Sequence, residues 1–329
     1  MKKALVIGGY GNIGLGVTKK LLEEGYDVTV LTAKERKENP APEAKCIVVD
    51  RKDDEAFRAA VKDEYDYVID FACMTKENAR QDYEVFQSLK HMVAVSSGAA
   101  YGPLHGSEIP VRESMKLEPV WGYGKIKKEM ENFFQQKILE ENYPVTIFRP
   151  TVTYGRQKCI VRQIGSDNSW IDRIRKGKPI VTGNPYILRN FLHVDDAAGA
   201  FTGALKHERC KGQTYNLVGL RPYDWGEYHT AMMKVLGREV EMVEVPLSVL
   251  EASPNFQVSE MILHNFVYNG YYSGEKIARD IPEFCMNIDL ETGLRMQVEY
   301  LERHNLIGNS DELTWEDELI RAQRKALYF

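Results

Sequence analysis

A doubly wound α/β fold, with a parallel sheet covered by helices on both faces and a smaller C-terminal domain attached, is what the sequence predicts. Three observations predict it. Short apolar runs alternate with helical patterns through the first half. The first run, Ala4-Leu5-Val6-Ile7, ends in the glycine-rich loop Gly8-Gly9-Tyr10-Gly11-Asn12-Ile13-Gly14. The regular alternation stops near residue 155. Buried strands separated by helices are how a parallel sheet with both faces covered is encoded.

Residues 4–7 form the first strand. Ile13, Val17 and Leu21 follow at helical spacing, and Gly25 ends that helix. Residues 28–31 and 46–49 are the second and third strands, the latter closed by Asp50. Residues 68–72, 92–96 and 145–148 complete the run before Arg149-Pro150. Beyond it, a Gly/Asn-rich stretch at 165–168 precedes a helix over 171–176. The block 189–196 leads into an Ala-rich helix over 197–205, and 215–218 is a further strand. Residues 253–272 are aromatic and polar without a period and read as loop and short elements. The expected division is 1–155, with 187–219 returning to it, then 156–186 and 220–308 as the smaller domain, and 309–329 as a C-terminal helical tail.

The composition excludes several classes. Apolar residues make up 43% and charged residues 28%, as in an ordinary globular chain. With 43 basic and 48 acidic residues the net charge is −5, so no broad footprint for nucleic acid or an anionic membrane exists. No apolar stretch is long enough to span a bilayer, and Met1-Lys2-Lys3-Ala4 runs into a short apolar run without a signal-peptide cleavage pattern. Cys46, Cys73, Cys159, Cys210 and Cys285 are scattered and never paired as Cys-x-x-Cys, which argues against disulfides and zinc. The expectation is a cytoplasmic protein with a small-molecule substrate and no metal, nucleic-acid or membrane partner.

The glycine loop follows a strand and opens a helix. In that setting glycines permit the tight turn, let backbone N–H groups approach a pyrophosphate, and aim a helix N-terminus at its charge. Gly8, Tyr10, Gly11, Asn12, Ile13 and Gly14 are therefore candidate dinucleotide contacts. The second strand ends at Thr32, where an acid would accept from a ribose 2′-hydroxyl. Lys34 and Arg36 follow; they either meet a 2′-phosphate, which leans the cofactor toward NADP over NAD, or are solvated loop charges. Asp50 either contacts the adenine edge or caps a helix.

Tyr123 and Lys127 fall on the apolar stripe of a helix carrying Ile126, Met130, Phe133, Phe134 and Ile138, whereas Lys125, Lys128 and Glu129 lie off it. A lysine aimed inward is costly unless something uses it. One turn from a tyrosine, the cation favours the phenolate and makes a base; otherwise the lysine snorkels past a core tyrosine. Ser96-Ser97-Gly98 ends a strand, where ligands of such sheets bind. Ser97 is the candidate to bond the reacting oxygen, with Ser96 as the competing choice. Elsewhere, His193-x-Asp195-Asp196 fits a turn and helix start better than a metal site. Arg173, Arg175, Lys176 and Lys178 read as a solvated helix face. Phe266, Tyr268, Tyr271 and Tyr272 either line a pocket or pack the second domain.

With those residues in hand, the chain resembles an extended short-chain dehydrogenase/reductase of the NAD-dependent epimerase/dehydratase type. The matches are Gly8-x-x-Gly11-x-x-Gly14, Asp50-Arg51, Ser97 four residues before Tyr101-Gly102, Tyr123-x-x-x-Lys127, Arg149-Pro150 with Tyr154-Gly155, and Arg189 through Asp196. The stretch 275–301 continues them. The resemblance implies an N-terminal Rossmann domain that binds the dinucleotide and a smaller C-terminal substrate domain. It implies Ser97, Tyr123 and Lys127 as the catalytic triad, with Tyr123 and Lys127 also contacting the cofactor. Asp50, Arg51, Ala72 and Pro150 join the cofactor site, and Arg189 binds the diphosphate of a nucleotide-sugar. A homodimer through the helix of the catalytic pair is also implied.

Three positions depart from the pattern. Val152 stands where nucleotide-sugar enzymes carry an asparagine, and Gly98-Ala99 stands where 4,6-dehydratases carry an acid/base pair. Ile126 replaces a frequent serine. The function implied is an NAD(P)-dependent oxidoreductase or epimerase acting on a hydroxyl or carbonyl of a sugar or nucleotide-sugar. The alternative is a non-catalytic nucleotide- or RNA-binding protein on the same fold, like the chloroplast stem-loop-binding proteins.

Overall fold

The computed structural model describes residues 2–36, 39–62 and 64–326. Strand β1 (Lys3–Ile7) shows why a central parallel strand reads as a solid apolar run. Its Ala4 and Val6 enter one core and its Leu5 and Ile7 the other, so both faces are buried. It pairs in parallel with β2 (Asp27–Thr32) and β4 (Tyr67–Asp70). With β3 (Lys45–Val48), β5 (His91–Val95), β6 (Val145–Pro150) and β10 (Thr214–Leu217) it forms a seven-stranded sheet ordered β10-β6-β5-β4-β1-β2-β3. Every neighbouring pair is parallel. The chain steps outward from β1 to β3, then returns and steps the other way from β4. The order therefore reverses between β1 and β4, and the crevice beyond their carboxyl ends is where such a sheet takes a ligand.

Helices α1 (Gly14–Glu23) and α6 (Val194–Ala204) cover one face, with Val17, Leu21 and Phe201 against Val6 and Val30. Helices α2 (Asp54–Ala60), α3 (Lys76–Val85) and α4 (Gly122–Glu141) cover the other, through Phe57, Ala79, Met130 and Phe134.

The remaining elements form a second set of layers. β7 (Val152–Tyr154), β9 (Leu188–His193) and β11 (Pro222–Asp224) make a three-stranded sheet, and β8 (Ile180–Thr182) pairs with β12 (Met242–Glu244). Trp170 of α5 (Ser169–Lys176), Trp225 and Tyr228 of α7 (Trp225–Leu236), and Leu294 of α10 (Leu290–Arg303) pack into one core. Leu250 of α8 (Leu247–Ala252) and Leu319 of α11 (Trp315–Ala326) pack into another. α9 (Glu275–Asp280) puts Ile277 back into the core on the α1/α6 side of the large sheet.

Two sequence expectations are corrected. The basic cluster on α5 is a solvated face only in part, with Arg175 and Lys176 exposed but each ion-paired. Arg173 is buried and pairs with Asp317, Arg175 with Glu302, Lys176 with Asp172 and Asp311, and Lys178 with Asp311. Apart from Asp172, those acids come from more than a hundred residues later, which local charge counting does not register. Tyr123 and Ile126 are 40% and 41% exposed, so both lie outside the buried stripe of α4, which runs through Gly124, Lys127, Met130, Glu131 and Phe134. Within 253–272, residues 262–266 form a π-helical turn, and Gly270 donates its N–H to the Leu188 carbonyl oxygen at the start of β9. Among the described residues, no helix is long and apolar enough to cross a membrane.

Candidate active site

The glycine loop makes the tight turn that its sequence requires. Gly8 has φ +77°, and a Cβ on Gly14 would lie 2.5 Å from the Gly8 carbonyl oxygen, so only glycine fits the close approach. No side chain caps the start of α1, which follows directly on the glycine loop at the end of β1. This cradle suits a pyrophosphate. Asn12 has another task as well: its Oδ1 accepts from the Arg156 N–H at 2.9 Å, which ties the loop to the second set of layers.

At the end of β2, Thr32 donates to the Lys34 carbonyl oxygen at 3.3 Å, and the Lys34 side chain is exposed. The Arg36 guanidinium lies 5.6 Å from the Tyr10 ring centroid and donates to the Tyr10 carbonyl oxygen at 2.8 Å. A cation is thus pinned beside the glycine loop, just past the end of β2. Asp50 is exposed and accepts from the Lys52 N–H; the cap of α2 is Asp53 instead. Arg51 is buried. Its guanidinium donates to Asp70 at 2.5 Å, to Asp82 at 2.7 Å and to Gln81, so a dinucleotide would meet only its backbone.

Burial beside Asp70 pushes the Asp82 carboxyl well up, and burial likewise raises the Cys73 thiol. Asp70, Cys73 and Asp82 hold ligand atoms within 4.8 Å of one another, but the cation meeting the two carboxylates is Arg51. Ala72 donates its N–H to Asp70 and sits beside Gly8, and Pro150 closes β6 next to Gly98.

Lys127 is 2% exposed, and its Nζ donates to the carbonyl oxygens of Cys73 and Val95, both at 2.9 Å. Those carbonyls stand at the carboxyl ends of β4 and β5, beside the reversal in strand order. Desolvation draws the Lys127 ammonium below its ordinary value, against the opposing pull of the Asp70 and Glu131 carboxylates. Ser97 follows Val95 by two residues, and its hydroxyl accepts from the Ala99 N–H at 3.2 Å at the start of a 3-10 turn. A Cβ on Gly124 would lie 2.5 Å from the Ala99 carbonyl oxygen, so the first turn of α4 rests directly on the turn that Ser97 begins. Tyr123 occupies that turn and is 40% exposed.

Ser96 is separated from Ser97 by its partner. Buried, it donates its hydroxyl to Glu131, which also accepts from Arg149 at 3.0 and 2.5 Å. Arg149 donates to the Tyr101 hydroxyl at 2.9 Å, and Tyr101 donates to Asn216 of β10 at 2.7 Å. This polar network joins α4 to β5, β6 and β10 directly beneath Ser97. Glu131 escaped the sequence reading although a signal existed: it lies four residues past Lys127, on the same buried face.

A cavity of about 220 Å³ opens next to Ser97, lined by Gly98, Thr151, Val152, Gln157, Arg189, Phe266 and Tyr272 among others. Tyr272 and Phe266 from the aromatic set reach it, whereas Tyr268 packs edge-on against His105. Arg189 is buried, and its Nη2 donates to the carbonyl oxygens of Asn265 and Tyr268. His193 caps α6 by accepting from the Asp195 N–H, Asp195 pairs with Arg156, and Asp196 accepts from the N–H groups of Asn287 and Ile288.

The chain is similar to several known proteins. The 2'-dehydrokanamycin reductase of Streptomyces kanamyceticus is 28% identical over 249 residues, covering 74% of this chain and 69% of that protein. The UDP-glucose 4-epimerase of Lactobacillus helveticus is 27% identical over 277 residues, covering 72% of this chain and 83% of that one. The structure of RMD from Pseudomonas aeruginosa complexed with NADPH shares the fold, with a TM-score of 0.70 over 92% of this chain and 100% of that one, at 17% identity. The model of one family spans residues 4–218, most of the chain and every strand of the large sheet, and so the chain belongs to the NAD dependent epimerase/dehydratase family.

Proposed function

We propose that this protein is an enzyme that moves a hydride to or from a hydroxyl- or carbonyl-bearing carbon of a sugar or sugar derivative. Ser97, Tyr123 and Lys127 carry the proton chemistry. The observation behind this reading is the Lys127 ammonium, buried between two strand-end carbonyls, one helical turn from Tyr123 and beside the Ser97 turn. A bound nicotinamide dinucleotide supplies the hydride acceptor or donor. The glycine cradle, Thr32, Ala72, Pro150 and the backbone at Asp50 and Arg51 would hold it, with Lys127 reaching its ribose. Arg36, fixed over Tyr10 with no acid at Thr32, supports NADP over NAD.

In the oxidation direction Ser97 bonds the substrate oxygen, and Tyr123 takes the O–H proton. The C–H electron pair leaves as hydride, and a C=O forms. Reduction runs the same atoms backward, with Tyr123 giving the proton. An epimerase returns the hydride to the other face, whereas a reductase releases a changed cofactor; the relatives include both kinds. Arg189, buried at the cavity, is the group that would meet an anionic part of the substrate.

Tyr123→Phe tests the assignment. Turnover should disappear while dinucleotide binding, read by thermal shift, stays nearly intact. Full activity in that variant would sink it. Salt-dependent RNA binding without cofactor binding would instead favour the RNA-associated alternative.

A further inference from the structure

The cavity beside Ser97 holds one charged side chain, Arg189, and no carboxylate among the residues that line it. Arg189 is 1% exposed. Its Nη2 is occupied by two backbone carbonyls of the 265–268 turn, but its Nε is buried without an acceptor. Desolvation lowers it to about 10, which leaves it a cation at neutral pH. A guanidinium in a dry site with a free donor and no counter-ion is an unfavourable arrangement that an incoming anion would relieve.

The hydroxyl of Thr151, also in the lining, is likewise buried without a partner. Around these donors the walls are apolar at Val152 and Phe266 and amide-bearing at Gln157. At about 220 Å³ the space falls below the ~300–1,000 Å³ common for drug-sized ligands.

We infer that the cavity takes a compact sugar derivative carrying a single anionic group, a carboxylate or one phosphate, seated on Arg189. This rests on Ser97, Tyr123 and Lys127 being the hydride-transfer site. A nucleoside diphosphate brings two phosphates to one partly occupied guanidinium and a larger body to a small cavity. A polyamine sugar brings cations to a lining with no acid to receive them.

The test is calorimetric titration of wild-type protein after dinucleotide binding has been measured on the same sample. The probes are a panel of hexuronic acids, a panel of hexose monophosphates, UDP-glucose and kanamycin. At least one uronic acid or monophosphate should bind about tenfold or more tightly than UDP-glucose and kanamycin. The arm that binds distinguishes carboxylate from phosphate. Arg189→Gln should lose that binding about tenfold or more while dinucleotide affinity holds, with Arg189→Lys intermediate.

Should Arg189→Gln fail to fold, the probe ranking on the wild type alone decides. Equal or tighter binding of UDP-glucose or kanamycin overturns the inference, as does silence from both anionic panels. Absence of dinucleotide binding defeats the hydride-transfer reading itself, so the two failures are distinguishable.

Discussion

Lys127 holds its charge where two carbonyl oxygens, not a carboxylate, receive it. Because desolvation already lowers this ammonium, it deprotonates at lower pH than an exposed lysine, whose ordinary value is ~10.4. The Lys127 charge that the proposed chemistry uses is present below that lowered value and lost above it. We therefore expect kcat/KM to collapse on the alkaline side at a lower pH than that at which an exposed lysine titrates. A plateau persisting well beyond that would show that Lys127 is not part of the chemistry. At the other end of the crevice, Arg36→Glu should weaken NADP binding by about tenfold or more while sparing NAD, since a carboxylate repels a 2′-phosphate and accepts from a 2′-hydroxyl. Dissociation constants for both dinucleotides check it; equal losses would assign Arg36 to loop structure alone.

At the scale of elements, α4 is fastened to the sheet by charge as much as by apolar packing. Glu131 is buried and receives both Ser96 and Arg149. Removing one member of a buried pair leaves the other uncompensated. Glu131→Ala should cost about 3–5 kcal/mol, whereas the double change Glu131→Met with Arg149→Met should recover part of it. Urea midpoints measure this; a Glu131→Ala loss below about 1 kcal/mol would mean that Arg149 finds another partner. The same element shows what periodicity can and cannot read. The apolar stripe placed Lys127 on the interior face, but the same face also carries Glu131 and excludes Ile126, because the partners that bury a carboxylate sit on β5 and β6. The short strands β7, β8, β11 and β12 had no local signal, being only three residues each.

For the whole molecule, two histidines buried in different layers contribute to its response to acid. Burial lowers His91, bonded to Thr146 across β5 and β6, to about 4. Burial likewise lowers His229, packed against Trp170 and Trp225, to about 3. Their folded values lie below the unfolded ~6.5, so the unfolded chain binds more protons between those limits. Stability from this source is complete above pH ~6.5 and is lost as pH falls toward 4, by roughly 3 kcal/mol for His91 alone. Urea midpoints at constant ionic strength should drop steeply from pH 7 to 4.5, and His229→Phe should flatten the drop. An unchanged slope in that variant would show that His229 charges without penalty.

The sequence by itself determined the parallel sheet, the glycine cradle and the Tyr123/Lys127 spacing. Each is a local signal: an apolar run, a backbone that needs glycine, or two side chains one helical turn apart. Only the tertiary structure gave Ser96 and Ser97 different surroundings, because Glu131 of α4, which Arg149 of β6 also meets, accepts from the first hydroxyl. It also turned the α5 basic cluster into ion pairs and left Arg189 short of an acceptor in a cavity. Those outcomes depend on which distant group arrives with an opposite charge or an acceptor, and that is settled by packing, not by neighbours along the chain.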